Sequence, residues 1–324
     1  MNKLNVAIVS GGYDAERIIS LKSANVVKAN LNPLKYNTWI IDITREAWFD
    51  IDSKIEIDKN NFSLQSELPI FFDVVFMCLH GSPAEDGKIQ GYFEMLQIPY
   101  TGCDARSSAI TMDKIFSKKI AHSILDIKTA RFVEVMDIKN VPLEEIKKIG
   151  LPLFVKPNDA GSSFGVSKVK NLDELMPAIE EAMKHSKRTV VEEYISGREL
   201  AQGVFESNGK LLALPITEVV SENEFFDFEA KYEGKSKELT PAPNISIELE
   251  AQISQHSIDL FIEFGCRGLT RIDYFLRGEE IFFLEANTLP GLSEASIFPQ
   301  QLVCKGITLQ EAFESLLLSS FKNK

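Results

Sequence analysis

The stretch from Thr270 to Gly291, TRIDYFLRGEEIFFLEANTLPG, constrains this chain more than any other. Two apolar runs, Ile272–Leu276 and Ile281–Ala286, flank the polar Arg277-Gly278-Glu279-Glu280. Apolar runs joined by a few turn residues that include glycine read as a β-hairpin. Folding it about Gly278–Glu280 sets Leu276 opposite Phe282 and, in the same register, Asp273 opposite Glu285. Directly opposed residues have Cβ atoms only about 5 Å apart. Asn287, two places beyond Glu285, shares its face through the strand's period of two. Like charges that close on a buried surface repel unless a cation lies between them. Three hard oxygen donors with no His or Cys suit Mg²⁺, which keeps further positions for water and phosphate oxygens. The plainer alternative is a solvated hairpin face carrying ordinary acids, against which the surrounding Ile, Phe and Leu argue. A metal-nucleotide site at Asp273, Glu285 and Asn287 is therefore expected.

A chain of 324 residues is too long for one small core, and two or three domains are expected. The net charge of −12 argues against a general nucleic-acid or anionic-membrane binder. Cys78, Cys103, Cys266 and Cys304 are scattered without C-x-x-C spacing, as in a cytoplasmic protein with reduced, mostly buried thiols. The opening MNKLNVAIVSGG has too short an apolar run for a signal peptide and no small-residue cleavage site. No uncharged apolar stretch approaches the ~18–20 residues of a membrane span. A soluble, cytoplasmic protein is expected, with no nucleic-acid or membrane partner.

Leu4–Val9 is a short apolar run ending in Ser10-Gly11-Gly12, followed by a helical stretch from about Ala15 to Asn30. Trp39–Ile43 and Asp73–Leu79 read as further buried strands, and Lys88–Leu96 as a helix. Strands alternating with helices imply an α/β fold with a parallel sheet. Ligands of such sheets lie at the strand C-terminal ends, where Ser10-Gly11-Gly12 and His80-Gly81 both fall. Glu16 and His80 could then approach one pocket. The local alternatives are a first-turn helix acid for Glu16 and a structural histidine for His80. Asp42 could mimic the ribose-binding acid of a dinucleotide site. However, G-x-G-x-x-G is absent and Asp42 lies 30 residues past Gly12 rather than about 20.

Asp104–Leu125 reads as one helix containing Met112-Asp113-Lys114. Leu151–Lys156 is a strand, Asn158–Gly165 a small-residue loop and Val166–Val169 a returning strand. Ser162, Ser163 and the loop amides can donate to phosphate oxygens, with Lys156 supplying charge; a plain hairpin turn is the alternative. Thr189–Ile195 is a strand whose end could pair its backbone with a base edge while Glu199 accepts ribose hydroxyls; plain surface acids are the alternative. Val204–Phe205 and Leu211–Ile216 suggest an antiparallel pair around Asn208-Gly209. Ser221–Asn244 is polar, broken by Gly234, Pro241 and Pro243, and long enough to be a working loop or lid. Helical spacing returns at Ile247–Phe264 and Thr308–Leu318.

Several of these pieces form one ordered set. His80-Gly81 precedes Glu85-Asp86-Gly87-Lys88-Ile89-Gln90-Gly91, then come Ile98-Pro99-Tyr100-Thr101-Gly102 and Met112-Asp113-Lys114. Val155-Lys156-Pro157 follows with Gly161-Ser162-Ser163, then Glu229-Ala230-Lys231-Tyr232 and Leu284-Glu285-Ala286-Asn287-Thr288-Leu289-Pro290-Gly291. Over essentially its whole length the chain resembles the D-alanine–D-alanine ligases of the ATP-grasp superfamily. The resemblance implies three α/β domains with ATP between the central and C-terminal ones. Their expected bounds are 1–102 for a Rossmann-like substrate domain and 103–191 for the central unit. The C-terminal unit, 192–324, carries the metal site and a mobile loop at 221–243. It also implies a homodimer.

The implied chemistry is phosphorylation of one D-alanine carboxylate by ATP, then attack by the amine of a second, serving peptidoglycan precursor synthesis. By the resemblance, Lys114 and Lys156 contact the ATP phosphates, and the loop at Ser162 and Ser163 closes over them. Glu192, the backbone of Glu193 and Ile195, and Glu199 hold adenine and ribose. Asp273, Glu285 and Asn287 bind Mg²⁺, with Mn²⁺ as a possible substitute. Glu16 meets the first D-alanine's ammonium with His80 nearby, and Arg271 and the Gly291 amide stabilise the oxyanion. Ser296 and the Ile297 amide receive the second substrate's carboxylate at a local helix start. Lys231 and Tyr232 belong to the lid, where Tyr232 links to Ser162 and Glu16 and favours an amine over a hydroxyl nucleophile.

Three positions depart from the family's usual pattern. Ala84 stands where Gly is usual, Asp14 where Ser is common, and Ile297 where Leu is usual. Competing readings are a relative joining D-alanine to D-lactate or D-serine, a non-catalytic nucleotide-binding protein, and a nicotinamide oxidoreductase. The set Arg271, Asp273, Glu285 and Asn287 opposes the second, and the missing glycine fingerprint opposes the third.

Overall fold

The computed structural model describes residues 3–13, 16–161, 164–221 and 236–321. The first unit begins with β1 (Leu4–Gly11), α1 (Arg17–Asn30), β2 (Tyr36–Ile43) and β3 (Trp48–Asp50). A two-stranded ribbon, β4 (Ile57–Asp58) and β5 (Ser63–Leu64), precedes β6 (Val74–Met77) and α2 (Lys88–Met95). The sheet order is β3-β2-β1-β6, with β1 parallel to both β2 and β6. Strands with helices on both faces must bury alternate residues in opposite directions. Val6 and Ile8 accordingly join the core of α1, while Ala7 and Val9 join that of α2. The order reverses at β1, so the ligand crevice expected of such a switch lies where β1 and β6 end. Ser20 of α1 closes this edge: its hydroxyl accepts from Gly11 N and donates to the Cys78 carbonyl.

Asp104–Leu125 is two helices rather than the single one expected. α3 (Ala105–Met112) and α4 (Lys114–Ser123) are interrupted at Asp113, whose backbone is extended. The Asp113 carboxylate accepts from Phe116 N as a cap to α4 and pairs with Arg188. An acid in a capping position competes with helix continuation, and here it wins.

The second sheet comprises β7 (Phe132–Val135), β8 (Leu153–Pro157), β9 (Ser167–Val169) and β10 (Thr189–Glu193) in the order β7-β10-β8-β9. α5 (Leu143–Ile149) and α6 (Leu175–Met183) cover one face through Ile146, Ile179 and Ala182. The other face presents Phe154, Lys156 and Glu192, with Glu192 directly opposite Phe154.

A third, antiparallel sheet holds β11 (Arg198–Ser207), β12 (Lys210–Ala213), β13 (Thr217–Ser221) and β14 (Ser236–Leu239). After α7 (Ile247–Glu263) come β15 (Leu269–Arg277) and β16 (Glu280–Asn287), then α8 (Ile297–Cys304) and α9 (Leu309–Ser320). β14 shows that the polar stretch after Ser221 is not all connection: Ser236–Leu239 is a strand, and Ser236 pairs with Ser221. α9 leaves its own sheet and packs Phe313 edge-on against Phe76 of the first.

Candidate active site

The β15–β16 hairpin places Asp273 directly opposite Glu285, as expected. Its tip does not fold as expected. Arg277 pairs with Glu280, so the turn is only Gly278-Glu279, with Gly278 at a φ of 63° that glycine adopts without cost. Leu276 therefore faces Ile281, not Phe282, and a β-bulge between the Phe283 and Glu285 pairings restores the register. Bulges re-aim side chains next to sites, and this one keeps Asp273, Glu285 and Asn287 on one face. Arg271, opposite Asn287, donates Nε and Nη2 to the two oxygens of Asp273 at 2.8 Å each. Asn287 Oδ1 accepts from Leu289 N, which fixes its amide. Among the described residues no three His, Cys, Asp or Glu converge on a metal position.

Glu16, His80, Lys114, Arg271, Glu285, Asn287, Gly291, Ser296 and Ile297 all line one cavity of about 390 Å³. Chain segments nearly the full length apart thus supply one site. Glu16 starts α1 without using its side chain as a cap. A β-carbon built on Gly161 would stand 3.9 Å from Glu16 Oε2 and 3.6 Å from Glu85 Oε2, so both carboxylates meet the loop after β8. His80 is buried with Nδ1 3.8 Å from Glu85 Oε1. Burial pushes the Glu85 carboxyl up, the charge of Glu16 adds to this, and His80 partly pulls it back. Lys114 donates to the Ala160 carbonyl at 2.7 Å, holding its ammonium at the same loop.

Ser296, which also lines the cavity, is the N-cap of α8, in extended conformation. Its side chain makes no capping bond, so it leaves the first amides of α8 uncapped beside the cavity that Ser296 and Ile297 line. Gly291 packs so closely that a β-carbon there would lie 2.6 Å from Ser296 Oγ. Ile297 is buried against Ala201 and Val219, so this aliphatic side chain fits its place in the core. Ala84 is fully buried with no left-handed backbone, so its β-carbon is accommodated.

Glu192, Glu193 and Ile195 line a separate small cavity between the second and third sheets, with Phe154, Phe275, Phe282 and Leu284. Glu192 is held there by two ammonium groups. Lys156 Nζ lies 2.5 Å from Oε1, and Lys118 Nζ lies 3.1 Å from Oε2. Burial alone would raise the Glu192 carboxyl; Lys118 and Lys156 outweigh it and hold it at about 2. Burial likewise works to lower the Lys156 ammonium and Glu192 outweighs it, with Glu285 and Glu199 adding to the rise. Glu199 thus contributes charge to this cleft from β11, in register with Phe275.

Ser162, Ser163, Lys231, Tyr232 and Asp14 lie outside the described residues. Asp42, weighed as a ribose-binding acid, is buried and ion-paired with Arg17, and so anchors the start of α1 instead. Three cleft residues escaped the sequence reading. Lys118 follows Lys114 by one helical turn on a buried stripe with Ile115 and Ala121, a signal that was available. Glu85 belongs to the run Glu85–Gly91, in which sequence alone gives it no role. Glu238, on β14, lines the main cavity and accepts from Gln300 Nε2 at 3.1 Å. Burial pushes its carboxyl up, partly offset by Arg271 and Gln300.

Family models for the D-ala D-ala ligase N-terminus and C-terminus match residues 5–103 and 124–318. The D-alanine–D-alanine ligase of Flavobacterium johnsoniae is 43% identical over 322 residues, covering 97% of this chain and 98% of that one. This chain belongs to the D-alanine–D-alanine ligase family. Among solved structures, D-alanyl-alanine synthetase A of Vibrio cholerae superposes with a TM-score of 0.90 at 31% identity, covering all of both chains. The VanG D-Ala:D-Ser ligase of Enterococcus faecalis gives 0.87 at 32% identity, covering 98% of this chain and all of that one. Membership in this family identifies the fold as ATP-grasp and the protein as an ATP-dependent ligase.

Proposed function

We propose that this ligase joins two D-alanines through an acyl phosphate, with ATP in the cleft between the second and third sheets and both amino acids in the 390 Å³ cavity. The observation that carries this reading is the content of that cavity. An acid for an ammonium, Glu16, a helix start for a carboxylate, Ser296, Arg271 and the hairpin carboxylate Glu285 line it together.

The hairpin fits a divalent cation. Asp273 and Glu285 face each other with Asn287 alongside, an all-oxygen set that suits Mg²⁺ or, in its place, Mn²⁺. When bound, such an ion neutralises phosphate charge as it redistributes during transfer. Arg271 occupies one lone pair on each Asp273 oxygen and leaves the others for coordination. Lys114 and Lys156 aim ammonium groups at phosphate oxygens, and Ser162 and Ser163 close the phosphate loop. Glu192, the backbone of Glu193 and Ile195, and Glu199 take the base and ribose.

Glu16, with His80 behind it, fixes the ammonium of the first D-alanine. Arg271 and the Gly291 amide stabilise the oxygen that becomes negative when the second amine attacks. Ser296 and the Ile297 amide hold the second carboxylate. Lys231 and Tyr232 complete the closed site and exclude water from the acyl phosphate. The domains divide near 102 and 191, and the enzyme works as a cytoplasmic homodimer. The D-Ala:D-Ser chemistry of the Enterococcus neighbour makes D-serine the competing nucleophile.

Isotope transfer tests the route. D-alanine labelled with ¹⁸O in its carboxylate should place one label in the phosphate released per dipeptide formed. Dipeptide made without label in phosphate would contradict the acyl-phosphate path.

A further inference from the structure

Lys118 has no part in the chemistry described so far, yet it is 1% exposed. Its ammonium lies 3.1 Å from Glu192 Oε2, and neither atom makes an aligned hydrogen bond elsewhere. An ammonium is not buried without a compensating charge, because desolvation costs several kcal/mol. Here one carboxylate is shared by two ammonium groups, Lys118 from α4 and Lys156 from β8. The two lysines are not equivalent. Lys156 stands over the Phe154 ring and responds to Glu285 and Glu199, the acids beside the phosphate and ribose positions. Lys118 lines the small cavity at the base end of the cleft, together with the apolar Phe154, Ile195, Phe275, Phe282 and Leu284.

The consequence appears when a nucleotide enters. Phosphate oxygens would compete with Glu192 for the Lys156 ammonium. A buried carboxylate left alone among aromatic rings would take up a proton. Once protonated it presents a donor as well as an acceptor; ionised, it only accepts. An adenine amino group needs an acceptor, whereas a 6-oxopurine offers an oxygen that repels one.

We propose that Lys118 is a positioning residue that keeps Glu192 an ionised, fixed acceptor for the base amine of ATP once Lys156 has turned to the phosphates, so that the cleft selects a 6-aminopurine over a 6-oxopurine. This inference rests on the nucleotide reading given above.

The groups that face Glu192 are Lys118 and Lys156, with Glu285 and Glu199 acting through Lys156; Glu193 is turned to Arg131. The test is Lys118→Met, which keeps the length of the side chain and removes its charge. ATP and GTP titrations of the full chain between pH 6 and 8, with steady-state rates, are the readout. The variant should bind ATP at least tenfold more weakly at pH 7, and weaken further as the pH falls to 6. Its preference for ATP over GTP should shrink at least tenfold, while kcat at saturating ATP stays within twofold. An unchanged ATP affinity, pH profile and ATP-to-GTP ratio would overturn the inference. If Lys118→Met does not fold, infrared difference spectra of wild type against Glu192→Gln decide. ATP binding should produce no protonated-carboxyl band in wild type; a band absent from Glu192→Gln would overturn the inference. Wild-type protein with no ATP affinity overturns the nucleotide reading itself and this one with it.

Discussion

Asp273 and Glu285 stand directly opposite each other across the β15–β16 hairpin, although the tip of that hairpin is one residue out of the register that would pair them. The bulge beside Glu285 makes the difference. It turns a two-residue hairpin into a rigid holder for two carboxylates and the Asn287 amide, on strands whose other face is fully buried at Ile272 and Tyr274.

Removing either acid should abolish turnover without unfolding the protein. Asp273→Ala and Glu285→Ala are each expected to lower kcat about 10³-fold, the scale of losing a preorganised electrostatic partner. The melting temperature should move by only a few degrees. Initial rates at saturating ATP and metal check this, and activity within tenfold of wild type in either variant would sink the assignment.

Glu192 links stability to pH. Its carboxyl sits at about 2 in the fold against an ordinary 4.5. A depressed value stabilises the folded state fully above about pH 4.5 and loses that contribution as the pH falls through about 2. Glu192→Gln also strands two ammonium groups and should cost about 3 kcal/mol at neutral pH. Urea unfolding should show a constant gap between wild type and variant from pH 7 to 5, narrowing at lower pH. A gap unchanged down to pH 3 would contradict the ionic account.

Glu238 has the opposite sign. Its carboxyl is raised by burial, so the favourable contribution is present at low pH and lost as the pH rises through the folded value. Glu238→Gln keeps the shape and stays neutral. The variant should melt higher than wild type at pH 7–8 and equal to it below pH 4. Thermal scans across that range decide, and a variant that melts lower at pH 8 would show that its charge is stabilising.

Gly291→Ala tests the second substrate's seat. The added carbon would meet Ser296 Oγ at 2.6 Å, so the Ser296 side chain must move from its place beside the cavity. The KM for the second D-alanine should rise at least tenfold, with the KM for ATP unchanged. Equal rises in both would mean that the distortion spreads beyond the α8 start.

What the sequence made legible was local. The two-residue period of the hairpin named its acids, and the glycines after β1 and the histidine after β6 marked the crevice. Features set by long-range packing were not legible. Nothing near Phe313 says that α9 will cross to the first sheet and pack on Phe76. The bulge in β16 follows from the Gly278-Glu279 turn and the fixed core contacts of Phe283, which compete for the register. Asp113 looked like a mid-helix acid until Arg188, 75 residues away, gave it a partner. Glu238 sits in a polar stretch that offers no period at all. Lys118 alone was within reach, one turn past Lys114 on an apolar stripe.

The most direct measurement is ADP release from ATP, Mg²⁺ and D-alanine, with the product mass determined in the same reaction and D-serine and D-lactate run in parallel. The account predicts one ADP per D-alanyl-D-alanine, with that dipeptide preferred over the mixed products. ADP release with D-serine or D-lactate favoured as acceptor would overturn the substrate assignment. Folded, ATP-binding protein that releases no ADP would contradict the central claim.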